Sequence, residues 1–76
     1  MISTDEVKKM ILESLPGSRV RVEDSMGTGD HFEVMVESKE FAGKSLIDQH
    51  KMVFAVLRRE MDGRIHAVQL KTRVLA

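Results

Sequence analysis

The chain has no cysteine, no tryptophan and no tyrosine, and only one proline in 76 residues. Without cysteine there is no disulfide to staple the fold and no thiolate to ligate a metal. That absence is compatible with a reducing compartment, and the expected location is cytoplasmic. Three phenylalanines are the whole aromatic complement, too few for a base-stacking surface. Net charge is also missing: 12 Lys+Arg balance 12 Asp+Glu. A neutral chain has no global field to draw in nucleic-acid phosphates, so binding of that kind needs a local basic patch. No apolar run approaches the roughly 18 residues of a membrane span, and the first nine residues are polar and acidic, unlike a signal peptide.

What remains is enough for one small domain. A chain of this size buries about 60% of its unfolded surface and is viable but marginal alone. Ser3 or Thr4 reads as a helix N-cap, with Asp5 and Glu6 favourably placed against the helix dipole. Val7, Met10, Ile11 and Leu15 recur at helical spacing, and Pro16-Gly17 stops that helix. Arg19 to Glu23 alternates like a short strand. Met26-Gly-Thr-Gly-Asp30 is a loop. Phe32 to Ser38 then alternates over seven residues, with Phe32, Val34 and Val36 on one face. Phe41-Ala-Gly-Lys-Ser45 is a turn that ends in a candidate cap, Ser45. Apolar residues from Leu46 to Met61 repeat at helical spacing, either as one helix or as a short one meeting a longer one near His50. Asp62-Gly63 closes it, Arg64 to Thr72 is a third strand, and Arg73 to Ala76 a short tail.

This order predicts a three-stranded mixed sheet with helices on one face. A loop joins strands one and two, which therefore run antiparallel. A helical crossover makes strand three parallel to strand two if they are neighbours. Parallel neighbours start at the same edge. His31 precedes the second strand and His66 lies near the start of the third, so both imidazoles are expected at one rim.

Gly43-Lys44-Ser45 resembles the end of a phosphate-binding loop, but the glycine required five residues earlier is Ser38, so a capped turn is the better reading. Glu33 and Glu37 fall on one face of the second strand with nothing to perturb them, and no catalytic triad stands out. No enzymatic activity is expected. His50 sits mid-helix and reads as structural. His31 and His66 are the candidate metal ligands: imidazole suits zinc, iron, copper or nickel, but two ligands make an incomplete site. The remaining donors must come from a partner or a small molecule.

Several short segments carry a family resemblance. They are Asp30-His31-Phe32, Phe41-x-Gly43-Lys44-Ser45, Gln49-His50-Lys51-Met52-Val53, Ile65-His66-Ala67-Val68 and Lys71-Thr72. Each is weak alone. In this order and spacing the chain resembles the BolA family over nearly its whole length. The resemblance implies a class II KH-like α+β fold of order α-β-β-α-α-β. It also implies an adaptor that pairs with a monothiol glutaredoxin and shares a [2Fe-2S] cluster with it and with glutathione. In that setting His66 corresponds to the family's ligand histidine, and His31 is the candidate for the second. The isolated chain is expected to hold no cluster. The sequence ends at Ala76, so the likeness does not extend to the Thr-Pro and tryptophan-containing helix of many relatives.

The family also includes members described as transcriptional regulators, which makes a DNA-binding module the alternative. Its carriers would be Lys44, Lys51, Arg58 and Arg59, with Arg19 and Arg21. Against it, the segment Gly43 to Leu46 lacks the second glycine of the nucleic-acid-binding loop of KH domains.

Overall fold

A computed structural model describes residues 2–61 and 63–75. Among the described residues, two α-helices, three strands and a single 3-10 turn follow in the order α1 (Thr4–Ser14), β1 (Arg19–Asp24), β2 (His31–Ser38), 3-10 turn (Lys39–Phe41), α2 (Leu46–Met61) and β3 (Ala67–Val74). Ser3 is the N-cap of α1. Its side chain accepts the Glu6 amide at 3.0 Å while Glu6 accepts the Ser3 amide at 3.2 Å, a reciprocal capping box. Ser45 plays the corresponding part for α2, its Oγ accepting the Asp48 amide at 3.1 Å. Gly43 turns the chain just before it at φ 76°, a conformation other residues seldom adopt. The Gly-Lys-Ser segment is thus a helix entrance.

The sheet order is β1-β2-β3, with β1 antiparallel and β3 parallel to β2. Alternation on β2 sends Phe32, Val34, Val36 and Ser38 into the interior. Both helices pack there, through Val7 and Ile11 of α1 and Val53 and Leu57 of α2, with Phe41 and Ile65 completing the core. Phe41, Val53, Leu57 and Ile65 have no exposed surface. The other sheet face is uncovered. It carries Arg21, Glu23, Glu33, Met35, Gln69 and Lys71 around a shallow depression. Glu33 is exposed there, and Glu37 is bound by Arg73 across β2 and β3 at 2.9 Å.

Three expectations change. The additional helix of an α-β-β-α-α-β order is replaced by the 3-10 turn at Lys39–Phe41, and α2 runs unbroken through His50. The turn forms because Ser38, in extended conformation, caps it through the Glu40 amide at 3.1 Å and drives Phe41 into the core. The third strand begins at Ala67, not Arg64. The Ile65 amide folds back onto the Glu60 carbonyl at 2.7 Å, and its side chain enters the core as a turn residue. The strand also continues through Arg73 and Val74, pairing Glu37 and Ser38, where a tail was expected. Of the helix stop at Asp62-Gly63, Asp62 lies outside the described residues; the Gly63 amide bonds to the Glu60 carbonyl at 3.1 Å.

Arg64 joins two elements, binding Glu60 at 2.6 Å and reaching Glu6 of α1 at 3.5 Å. The Arg64 guanidinium holds Glu60 below the usual carboxylate range, and Glu60 in turn raises Arg64. Glu6 is lowered mainly by the Ser3 amide and further by Arg64. A carboxylate lowered by folding stabilises the fold above its unfolded pKa, and that stability is lost as pH falls through the folded value. Acid unfolding should therefore begin at higher pH in Arg64→Met than in the parent chain, with little difference between the two at low pH, as followed by circular dichroism. Phe41→Ala should cost about 3–5 kcal/mol in urea unfolding. Ile47→Ala should change little, because Ile47 is exposed on α2.

Candidate metal centre

The loop between β1 and β2 ends at Asp30, whose main-chain carbonyl accepts two amides, from His66 at 2.7 Å and Ala67 at 3.2 Å. This pairing starts the parallel ladder, in which His31 lies opposite Ala67. It fixes the main chain of His66 beside Asp30 and His31. The two imidazoles meet edge to face, with ring centroids 5.8 Å apart and an interplanar angle of 84°. The shared rim anticipated from strand order is therefore present in space.

Between the rings lies a carboxylate that sequence reasoning placed only in a loop and a motif. Asp30 Oδ1 is 2.8 Å from His31 Nδ1, and its Oδ2 is 3.0 Å from His66 Nδ1. The Thr28 hydroxyl also donates to Oδ1. The loop is folded back to permit this, with the Gly29 amide on Asp24 Oδ2 at 2.8 Å and the Ser25 amide on the His31 carbonyl at 3.0 Å. Asp30 is held below the usual aspartate range, first by Thr28 and then by His31. Side-chain exposure is 27% for Asp30, 34% for His31 and 68% for His66. The group is reachable from outside, with His66 the most open member. The available signal for Asp30 was its position beside His31 and just ahead of a strand parallel to the one after His66.

Asp30, His31 and His66 each offer a donor atom within 4.8 Å of the others, the arrangement needed to share one metal ion. Imidazoles that bind metals commonly hand their second nitrogen to a carboxylate, which fixes the tautomer and ring orientation. With both Nδ1 atoms facing Asp30, each ring directs Nε2 away from it.

His50 does not join this group. It lines a groove with Met35, Leu46 and residues 70–73, at the opposite end of β3, and packs against Phe54 at 6.4 Å. Five or six residues of strand separate it from the rim, on the order of 15–20 Å. Other residues of these short motifs are structural. Gln49, buried on α2, donates to the Lys44 carbonyl at 3.0 Å and accepts from the Thr72 hydroxyl at 2.8 Å, tying the start of α2 to β3.

The basic residues do not form one patch. Arg19 and Arg21 alternate onto the uncovered sheet face, opposite the helices. Lys44 and Lys51 are exposed at and near the start of α2. Arg58 and Arg59 line a groove between the helices that also holds Lys9, Arg64, Glu6, Glu13 and Glu60.

A small α+β domain with its helices on one face of a mixed sheet, and two histidines joined by a carboxylate at the rim, is the class of protein that these features define. The chain belongs to the BolA family: the profile for BolA-like protein matches residues 9–76. It is 39% identical to protein BOLA2 of Arabidopsis thaliana, over 93% of this chain and 76% of that protein. It is 34% identical to an uncharacterized protein of Rickettsia prowazekii, over 93% and 92% respectively. The solved structure of a bolA protein homologue from Coxiella burnetii superposes with a TM-score of 0.80 at 36% identity, over 97% of this chain and 92% of that one. No helix among the described residues is long and apolar enough to cross a membrane.

Asp30→Ala should release the His66 ring while leaving its main chain paired. The expected result is loss of cross-peaks between the His31 and His66 ring protons by NMR. The fold should remain nearly as stable, because the pairs are partly exposed.

Proposed function

We propose that this chain is an adaptor that pairs with a monothiol glutaredoxin and presents His31 and His66 to a [2Fe-2S] cluster held jointly with the partner and glutathione. The observation carrying this reading is the convergence of the two imidazoles on one carboxylate at an accessible rim. The donor set suits such a group: iron-sulfur centres accept two histidines in place of two cysteines on one iron. It is also incomplete, since the chain has no thiolate of its own. The sulfur donors therefore come from outside, which is the logic of a shared site.

Each residue of the rim has a part. Asp30 accepts from both Nδ1 atoms and so leaves Nε2 of each ring as the donor toward the partner. Thr28 holds Asp30, and the Asp30 carbonyl holds the main chain of His66. A bound cluster supplies one-electron chemistry and a transferable iron-sulfur unit; the chain's own contribution is to position two nitrogen donors. His66, more exposed than His31, is the ligand the partner reaches more readily.

Co-purification with a monothiol glutaredoxin in the presence of glutathione, followed by visible absorption, tests the reading. His66→Ala and His31→Ala should each alter the absorption bands or shorten the life of the cluster. The parent chain without glutaredoxin should show none of these bands. A spectrum unchanged by both substitutions removes the histidines from the site.

A further inference from the structure

Among the described residues, the outer edge of β3 is unpaired. The strand is last in the sheet order, and its 8 residues pair with β2 on one side only, without a bulge. The Ala67 amide binds the Asp30 carbonyl, and the Leu75 amide binds the Ser38 carbonyl. Odd-numbered residues of β3 therefore turn their main-chain groups toward β2, while Val68, Leu70, Thr72 and Val74 turn theirs outward. A row of free N–H and C=O groups with no proline is a template for another strand.

We propose that the strand it accepts is β3 of a second copy of this chain, antiparallel about a two-fold axis at Leu70. That register sets Gln69 against Lys71 of the other copy, Ala67 against Arg73 and Val68 against Thr72. No like charges meet. Moving the axis to Lys71 opposes the two Lys71 ammonium groups, and moving it to Thr72 opposes Lys71 to Arg73; both are destabilising. An axis at Gln69 also avoids like charges but pairs fewer residues. The charges along this edge thus select a register.

Apolar surface lies beside the same edge. Leu46 and Ile47 are 59% and 68% exposed at the start of α2, and Leu46 lines a groove with His50, Leu70 and Thr72. The two-fold axis keeps the helices of both copies on one side of the joined sheet, so Val68 and Leu70 of the second copy come alongside this groove. The other sheet edge suits self-pairing less: the Asp24 carbonyl of β1 already accepts the Gly27 amide, and charged Asp5 and Lys8 of α1 flank the strand. A two-fold interface closes on itself, so the expected assembly is a dimer and not a fibre. The inference does not depend on the iron-sulfur reading.

The test is sedimentation equilibrium of the full chain from about 10 μM to 1 mM, with amide hydrogen exchange over the same range. The expected result is a monomer–dimer equilibrium with no larger species. The amides of Val68, Leu70 and Thr72 should gain protection with concentration, while those of Gln69 and Lys71, already bound to β2, should not. In a mixture of isotope-labelled and unlabelled chains, a filtered NOE should join Hα of Gln69 to Hα of Lys71 in the other copy. Gln69→Lys, at an exposed position, should weaken the dimer about fivefold, because the axis repeats the new repulsion. Adding Lys71→Glu should restore it. Retained backbone NMR spectra establish that each variant is folded. A chain that stays monomeric up to about 1 mM overturns the proposal. So does a dimer whose new protection lies at Val20 and Val22, or one indifferent to Gln69→Lys.

Discussion

Everything at the rim depends on one main-chain carbonyl. Asp30 O accepts the amides of His66 and Ala67, and this double acceptance begins the parallel pairing of β2 with β3. A parallel ladder has slanted, evenly spaced bonds, and its two strands start at the same edge. Once that edge is set, the residues just ahead of each strand, Asp30 and His66, are neighbours despite being 36 positions apart in sequence. The Asp30 carboxylate then uses the same proximity to draw both rings onto itself. Main chain and side chain of a single residue thus organise the site in succession.

The rest of the fold is arranged to hold that edge still. Phe32 is buried one residue after His31, and Ile65 one residue before His66. Each histidine is therefore the accessible neighbour of a core anchor, His31 partly and His66 largely exposed. A buried side chain cannot withdraw without leaving a cavity, which costs several kcal/mol. Exposure of the imidazoles and immobility of their backbone are consequently compatible. At the far end of the sheet the Lys44–Gln49–Thr72 hydrogen bonds fasten α2 to β3. The residues of the short sequence motifs divide along this line: Phe41, Gln49, Val53 and Thr72 sustain the scaffold, while Asp30, His31 and His66 form the rim.

The basic side chains illustrate the opposite case, in which sequence proximity and shared sign do not produce a surface. Arg19 and Arg21 share a parity on β1, and that parity is the one facing away from the helices. Arg58 and Arg59 share a helix, and the groove they enter mixes basic with acidic side chains of both helices. A patch must be contiguous to neutralise several phosphates at once. These six residues lie on different faces, which weakens the DNA-binding alternative relative to the reading built on the histidines.

Local pattern was sufficient for much of this protein. The capping residues of both helices, the buried face of β2, the absence of any thiolate donor and the common rim of His31 and His66 all follow from residue type, periodicity and chain order. Those properties are governed by neighbours a few positions away or by the small menu of strand connections. Other features required the packed molecule. The start of β3 moved because Ile65 was needed in the core, and the 3-10 turn formed because Ser38 capped it and Phe41 was drawn inward. Most of all, sequence alone showed Asp30 as a loop residue beside a histidine. Only the pairing of two strands distant in the chain placed its carboxylate between two imidazoles, because that contact is made through space.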